Sequence, residues 1–125
     1  MNFSKLARAG FAVGAVAITV LSLMPADELP STGMWDKLEH ALAYGVLAAV
    51  GALGWAGRAR AWAVLGASLV ALGLVLELLQ AVVPGRFTDA GDALANLIGT
   101  LLGMSAVAAL GRIAGRASRL GQPGR

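Results

Sequence analysis

Residues 61–83 read AWAVLGASLVALGLVLELLQAVV, and Glu77 is the one ionisable residue among them. A helix of that length rises about 34 Å at 1.5 Å per residue, enough to cross a hydrocarbon layer about 30 Å thick. Working outward, three more runs have similar character: residues 6–24, 40–55 and 93–110. The first stops at Pro25, and the second carries no charge after His40. The expectation is therefore an all-α fold, a four-helix transmembrane bundle forming one domain over residues 1–125, with a basic Gly/Arg-rich tail at 111–125.

Composition agrees. Hydrophobic residues make up 58% of the 125 positions and charged residues 14%, against about 25% charged in ordinary soluble domains. Mean hydropathy is +0.74. The same numbers exclude disorder, which needs charge-rich and apolar-poor chains. With no cysteine in the chain, disulfides, thiol catalysis and cysteine-based zinc sites are excluded. Ten basic residues scattered among long apolar runs make no basic face, so nucleic acid is set aside as a partner.

Charge placement orients the bundle. Lys5 and Arg8 mark the N-terminal end, Arg58 and Arg60 lie between the second and third runs, and Arg112, Arg116, Arg119 and Arg125 follow the fourth. None of these segments holds an acid. Asp27, Glu28, Asp36 and Glu39 occupy the first connector, and Asp89 and Asp92 the last. Short loops rich in Lys and Arg stay cytoplasmic, which places both termini inside. The first run also resembles a signal peptide. A cut before Ala26 would follow Met24 and Pro25, a poor match to a small-x-small site, so the run reads as an uncleaved anchor. Gly10-x-x-x-Gly14 and Gly99-x-x-x-Gly103 have the spacing of close helix contacts in lipid. Packing within the chain and homodimerisation both use such spacing.

The polar residues that are costly to bury gather at one end. Asp36, His40 and Tyr44 follow i, i+4, i+8 spacing, with Lys37 beside them, and so share one helical stripe. Glu77 and Gln80 share a second face, and Arg86 follows in the loop. Asp89, Asp92 and Asn96 share a third. These ten residues form the candidate ligand-binding set at the non-cytoplasmic end. Glu77 lies about 10 Å along the helix from Pro84, where an ionisable group costs about 2.5–3.5 kcal/mol. It is expected to face the bundle interior and to pair with Arg86 or Lys37. Bland readings stand beside these. Asp36 with Glu39, or Asp89 with Asp92, suits helix capping, Gln80 and Asn96 suit hydrogen bonds between helices, and an ion pair at Glu77 would fix helix register. His40 with Glu77, Asp89 and Asp92 offers mixed N and O donors for a divalent ion. A single histidine is more commonly a hydrogen-bonding partner, so neither a metal nor a cofactor is expected.

At this point the spacing resembles a known family. Ser22-Leu-Met-Pro25, Leu29-Pro30 and Asp36-Lys37-x-x-His40-x-x-x-Tyr44 look like the N-terminal signature of the VanZ-like family. Glu77-x-x-Gln80-x-x-x-Pro84-Gly-Arg86-x-x-Asp89-x-x-Asp92-x-x-x-Asn96-x-x-Gly99 is similar to its second signature. The resemblance implies a small four-helix protein of the bacterial inner membrane. The family's namesake is associated with low-level resistance to the glycopeptide antibiotic teicoplanin. No catalytic residues carry over.

Three functions follow as expectations. In the first, the outer cluster engages a lipid-linked envelope precursor or an acylated glycopeptide, with Lys37 and Arg86 contacting phosphate or carboxylate. In the second, a membrane-embedded hydrolase or transferase uses Glu77 or His40 as general base, although no nucleophile or metallohydrolase motif is present. In the third, the chain is a scaffold whose polar cluster only locks the helices together.

Overall fold

The computed structural model describes residues 2–30 and 32–120; Arg125 and the end of the tail lie outside the described residues. The chain is all-helical. Four α-helices, α1 (Phe3–Ser22), α2 (Asp36–Gly54), α3 (Ala59–Gln80) and α4 (Ala90–Leu120), follow in order, with one short 3-10 turn at Ala26–Glu28. Asn2 starts α1 by accepting the Ser4 amide on its side chain at 3.2 Å. Gly57 and Gly85 take positive φ, 77° and 71°, where L side chains are strained. They let the α2–α3 and α3–α4 connectors turn tightly.

Helix α4 overruns the expected span. It continues past residue 110 to Leu120, so the part of the tail that is described is helix. Alanine, arginine, leucine and isoleucine between residues 112 and 120 are good or tolerable helix formers, and composition alone had marked them as tail.

Helix α2 sits at the centre. It packs most extensively on α4, then on α1, and less on α3. Two glycines permit the α2–α4 crossing. A Cβ at Gly99 would fall onto the Ala41 carbonyl, and one at Gly103 onto the Gly45 carbonyl. On the other side, a Cβ at Gly14 of α1 would lie 2.9 Å from Leu47. Both glycine pairs thus face α2 of the same chain, and the Gly99 and Gly103 face is not free to seat a second copy. Tyr44, Leu47, Ala48, Ala52, Leu65, Leu69 and Val107 form the buried core.

The distribution of polarity is inverted relative to a water-soluble domain. Glu77, Gln80, Asp92, Asn96 and Thr100 are buried, while Val13, Val16, Val46, Val64, Leu78 and Leu102 are exposed. Among the described residues, α1, α3 and α4 are long and apolar enough to cross a membrane. Helix α2 falls outside that set because its first turns carry Asp36, Lys37, Glu39 and His40.

Candidate functional site

Side-chain bonds made by three residues identify which ends meet. Arg8 at the start of α1 donates to the Gly54 carbonyl at the end of α2, 2.8 Å away. Gln80 at the end of α3 donates to the Ser22 carbonyl at the end of α1, at 3.0 Å. Lys37 at the start of α2 reaches Asp89 and Asp92 at the start of α4. Successive helices therefore run in alternate directions, and the end of α1, the start of α2, the end of α3 and the start of α4 share one end of the bundle.

The α4 entrance is built first. Asp89 precedes the helix and accepts the Gly91 amide at 2.7 Å, a capping bond that satisfies one of the free amides of the first turn. The capping role expected of Asp36 is not found. Trp35 is the N-cap of α2 and makes no side-chain cap bond, so Asp36 lies in the first turn proper. There its charge still suits the positive end of the helix.

Lys37 joins the two entrances. Its ammonium bonds to an Asp89 carboxylate oxygen and lies 3.0 Å from Asp92 Oδ1. Asp89 and Asp92 push the Lys37 ammonium above its ordinary range, while Lys37 and then the Gly91 amide hold the Asp89 carboxyl below its own. Asp92 is buried while Asp89 is exposed. The pair thus grades from the interior to the surface.

Glu77 corrects the expectation. It faces the interior as anticipated and is buried, yet it pairs with neither Lys37 nor Arg86. Its Oε1 accepts the backbone amide of Asp89 at 2.6 Å. A carboxylate bound to a main-chain N–H is a charge-assisted bond, so Glu77 anchors the chain where it enters α4. Arg86 is drawn elsewhere: it donates to the carbonyls of Leu21 and Ser22 at 3.3 and 3.4 Å. That places a cation against the negative end of α1. The Ala26 amide bonding to the Pro84 carbonyl, 3.3 Å away, ties the two connectors together over the same region.

His40 and Asn96 join α2 to α4, with Nδ1 3.1 Å from Asn96 Oδ1. His40 Nε2 lies 3.9 Å from Asp36 Oδ1 and 3.9 Å from Asp92 Oδ2. Asp36, His40 and Asp92 bring one donor atom each within 4.8 Å of one another. This trio differs from the mixed-donor group anticipated in the sequence, since Glu77 and Asp89 are turned to other partners.

Beside these contacts opens a cavity of about 280 Å³. Its lining combines apolar Ile18, Leu21, Leu29 and Met34 with polar Asp36, His40, Tyr44 and Arg86. The hydroxyl of Tyr44 and the Nε of Arg86 are buried and have no hydrogen-bond partner among the described residues. Tyr44 itself is 2% exposed. All ten candidate residues thus lie at this end, but in three roles: Lys37, Glu77, Asp89, Asp92 and Asn96 tie helices together, Gln80 braces α1, and Asp36, His40, Tyr44 and Arg86 line the cavity. The contribution of Leu29, Pro30, Thr32 and Met34 to the lining was missed by sequence reasoning; Leu29-Pro30 was the available signal.

The chain matches no protein-family model, no curated protein and no solved structure.

Proposed function

We propose that this is a VanZ-like protein of the bacterial inner membrane, with all four helices crossing the bilayer and both termini cytoplasmic. Its outward cavity binds the phosphate or carboxylate end of an acylated envelope molecule, a lipid-linked precursor or an acylated glycopeptide. The positive-inside pattern supports the orientation. Helix α2 crosses with its charged turn at the rim, and its neighbours on three sides shield it from lipid.

One observation carries the ligand reading. Tyr44 and Arg86 line a cavity together with Ile18, Leu21, Leu29 and Met34, and just behind its surface the Tyr44 hydroxyl and the Arg86 Nε are buried without a hydrogen-bond partner among the described residues. A buried donor left without a bond costs about 1–3 kcal/mol, and an anionic oxygen that reaches either donor removes that cost. The apolar lining then suits the adjoining hydrocarbon. Lys37 supports the site from behind, because its bonds to Asp89 and Asp92 occupy it. The catalytic alternative is weakened, since Glu77 is engaged by the Asp89 amide and stands outside the cavity lining. It retains His40 alone as candidate base.

The test uses the purified chain in phosphatidylcholine nanodiscs titrated with a prenyl phosphate. Arg86→Gln and Tyr44→Phe each weaken binding, Arg86→Gln by tenfold or more. Equal binding by the parent and both variants contradicts the reading.

A further inference from the structure

We infer that Asp36, His40 and Asp92 form a binding site for one divalent transition-metal ion, beside the cavity. The inference does not depend on the acyl-ligand reading, because its probe is the metal alone.

Geometry carries it first. Asp36 and His40 are i, i+4 on α2 and so project from one face, while Asp92 comes from the first turn of α4. At 3.9 Å, each carboxylate oxygen is too far from His40 Nε2 for a direct hydrogen bond. Metal–ligand distances of about 2.0–2.2 Å put the donors of a tetrahedral site roughly 3.4 Å apart. Both Nε2–carboxylate separations are therefore about half an ångström wider than a bound ion requires, and all three donor atoms lie within 4.8 Å of one another. Asp36 supplies the adjustment, since its side chain is 61% exposed and able to swing inward.

The surrounding contacts favour the same conclusion. A carboxamide oxygen accepts only, so Asn96 Oδ1 places the His40 proton on Nδ1 and turns the lone pair of Nε2 toward the two carboxylates. An outer hydrogen bond of this kind is what orients a metal-binding imidazole. Asp92 is held in a similar way, with Oδ1 bonded to Lys37 and Oδ2 left facing His40. Charge points the same way. Lys37 bonds to Asp89 and Asp92, whereas Asp36 makes no ion pair with a Lys or Arg among the described residues, and a divalent cation offsets that charge. The site also faces a ligand space, because Asp36 and His40 line the cavity. Open coordination positions would face that cavity. One imidazole with two carboxylates suits zinc or manganese better than magnesium, which favours oxygen donors alone.

The experiment is isothermal titration of the untagged, metal-free full chain in detergent micelles with Zn²⁺, repeated with Mg²⁺. One equivalent of Zn²⁺ binds, and Mg²⁺ binds at least tenfold more weakly. Asp36→Asn and His40→Gln each weaken Zn²⁺ binding by tenfold or more. Asp36→Asn is the decisive variant because its exposed side chain takes no part in the Lys37 network, so it leaves the packing intact. Arg86→Gln leaves Zn²⁺ binding unchanged while it impairs prenyl phosphate binding, which separates failure of this site from failure of the ligand reading. Absence of stoichiometric Zn²⁺ binding, or binding by Asp36→Asn and His40→Gln as tight as the parent's, overturns the inference.

Discussion

The two ends of the bundle solve the same problem, how to place cations against helices, by different chemistry. At one end Lys37 is held by carboxylates and Arg86 by the carbonyls that end α1. At the other no acid is present. Arg8 there donates to the Gly54 carbonyl and stacks over Trp55, whose ring lies 5.2 Å below, and Phe11 meets Trp55 edge-on at 5.6 Å. Trp62 adds a bond to the Ala52 carbonyl at 3.1 Å. A larger cavity of about 500 Å³ lies at this end too, lined by Phe11, Trp55, Val64 and Leu65 with Arg58 and Arg60 at its edge. What distinguishes the polar end is therefore not cavity size. It is the presence of buried polar atoms without partners beside a network of opposite charges.

Both ends depend on the α2–α4 crossing that connects them, so the largest effect is expected there. Gly99→Ala drives a methyl group onto the Ala41 carbonyl. Backbone has no rotamer by which to yield, and overpacking of this kind costs about 1–3 kcal/mol. We expect the upper part of that range in a reversible unfolding titration, together with loss of prenyl phosphate binding, because Asp92 and Asn96 ride on the same helix. Gly111→Ala is the control. A Cβ there meets nothing within 4 Å, and stability holds or rises slightly because alanine favours helix.

Next in size is the cation of the basic end. Arg8→Ala removes one partly buried hydrogen bond and one cation–π contact, together about 1–2 kcal/mol. It should lower stability without changing ligand affinity at the far end. A parallel loss of both would show that the ends are coupled through α2 and would break the comparison.

The smallest effect belongs to the Lys37–Asp89 contact. Asp89 is held below its ordinary range, so its contribution is present above about pH 4 and is lost as pH falls through its lowered value in the fold. Lys37 is raised, so its contribution is complete below about pH 10 and disappears as pH rises through the raised value. Stability should be flat in this respect across the neutral range, with an acid limb that Lys37→Met reduces. An unaltered acid limb in Lys37→Met would assign that limb to other carboxylates.

Much of this was legible in the residues. Long apolar runs announced the helices, and the spacing of Asp36, His40, Tyr44, Asp89, Asp92 and Asn96 announced which faces would meet. The partners were less legible. Pairing charges by sign led from Glu77 to Lys37 or Arg86, whereas its actual donor is a main-chain amide, which every residue except proline carries and no composition reveals. The Gly99 and Gly103 spacing marked a close contact but could not name the helix opposite. Composition also assigned residues 111–120 to a tail, where helix propensity continues α4. The cavity depended on how the connector between α1 and α2 folds over its neighbours, and turn chemistry in a Pro-containing loop does not specify that path.

The account rests on the polar end, with its cavity, opening on the non-cytoplasmic side. The chain has no cysteine, so single introduced thiols report topology directly. Phe87→Cys lies at the polar end and Ala56→Cys at the basic end, both at exposed positions. In intact cells a membrane-impermeant maleimide should label Phe87→Cys at once and Ala56→Cys only after permeabilisation. Labelling of both from outside, or of Ala56→Cys alone, would contradict the account.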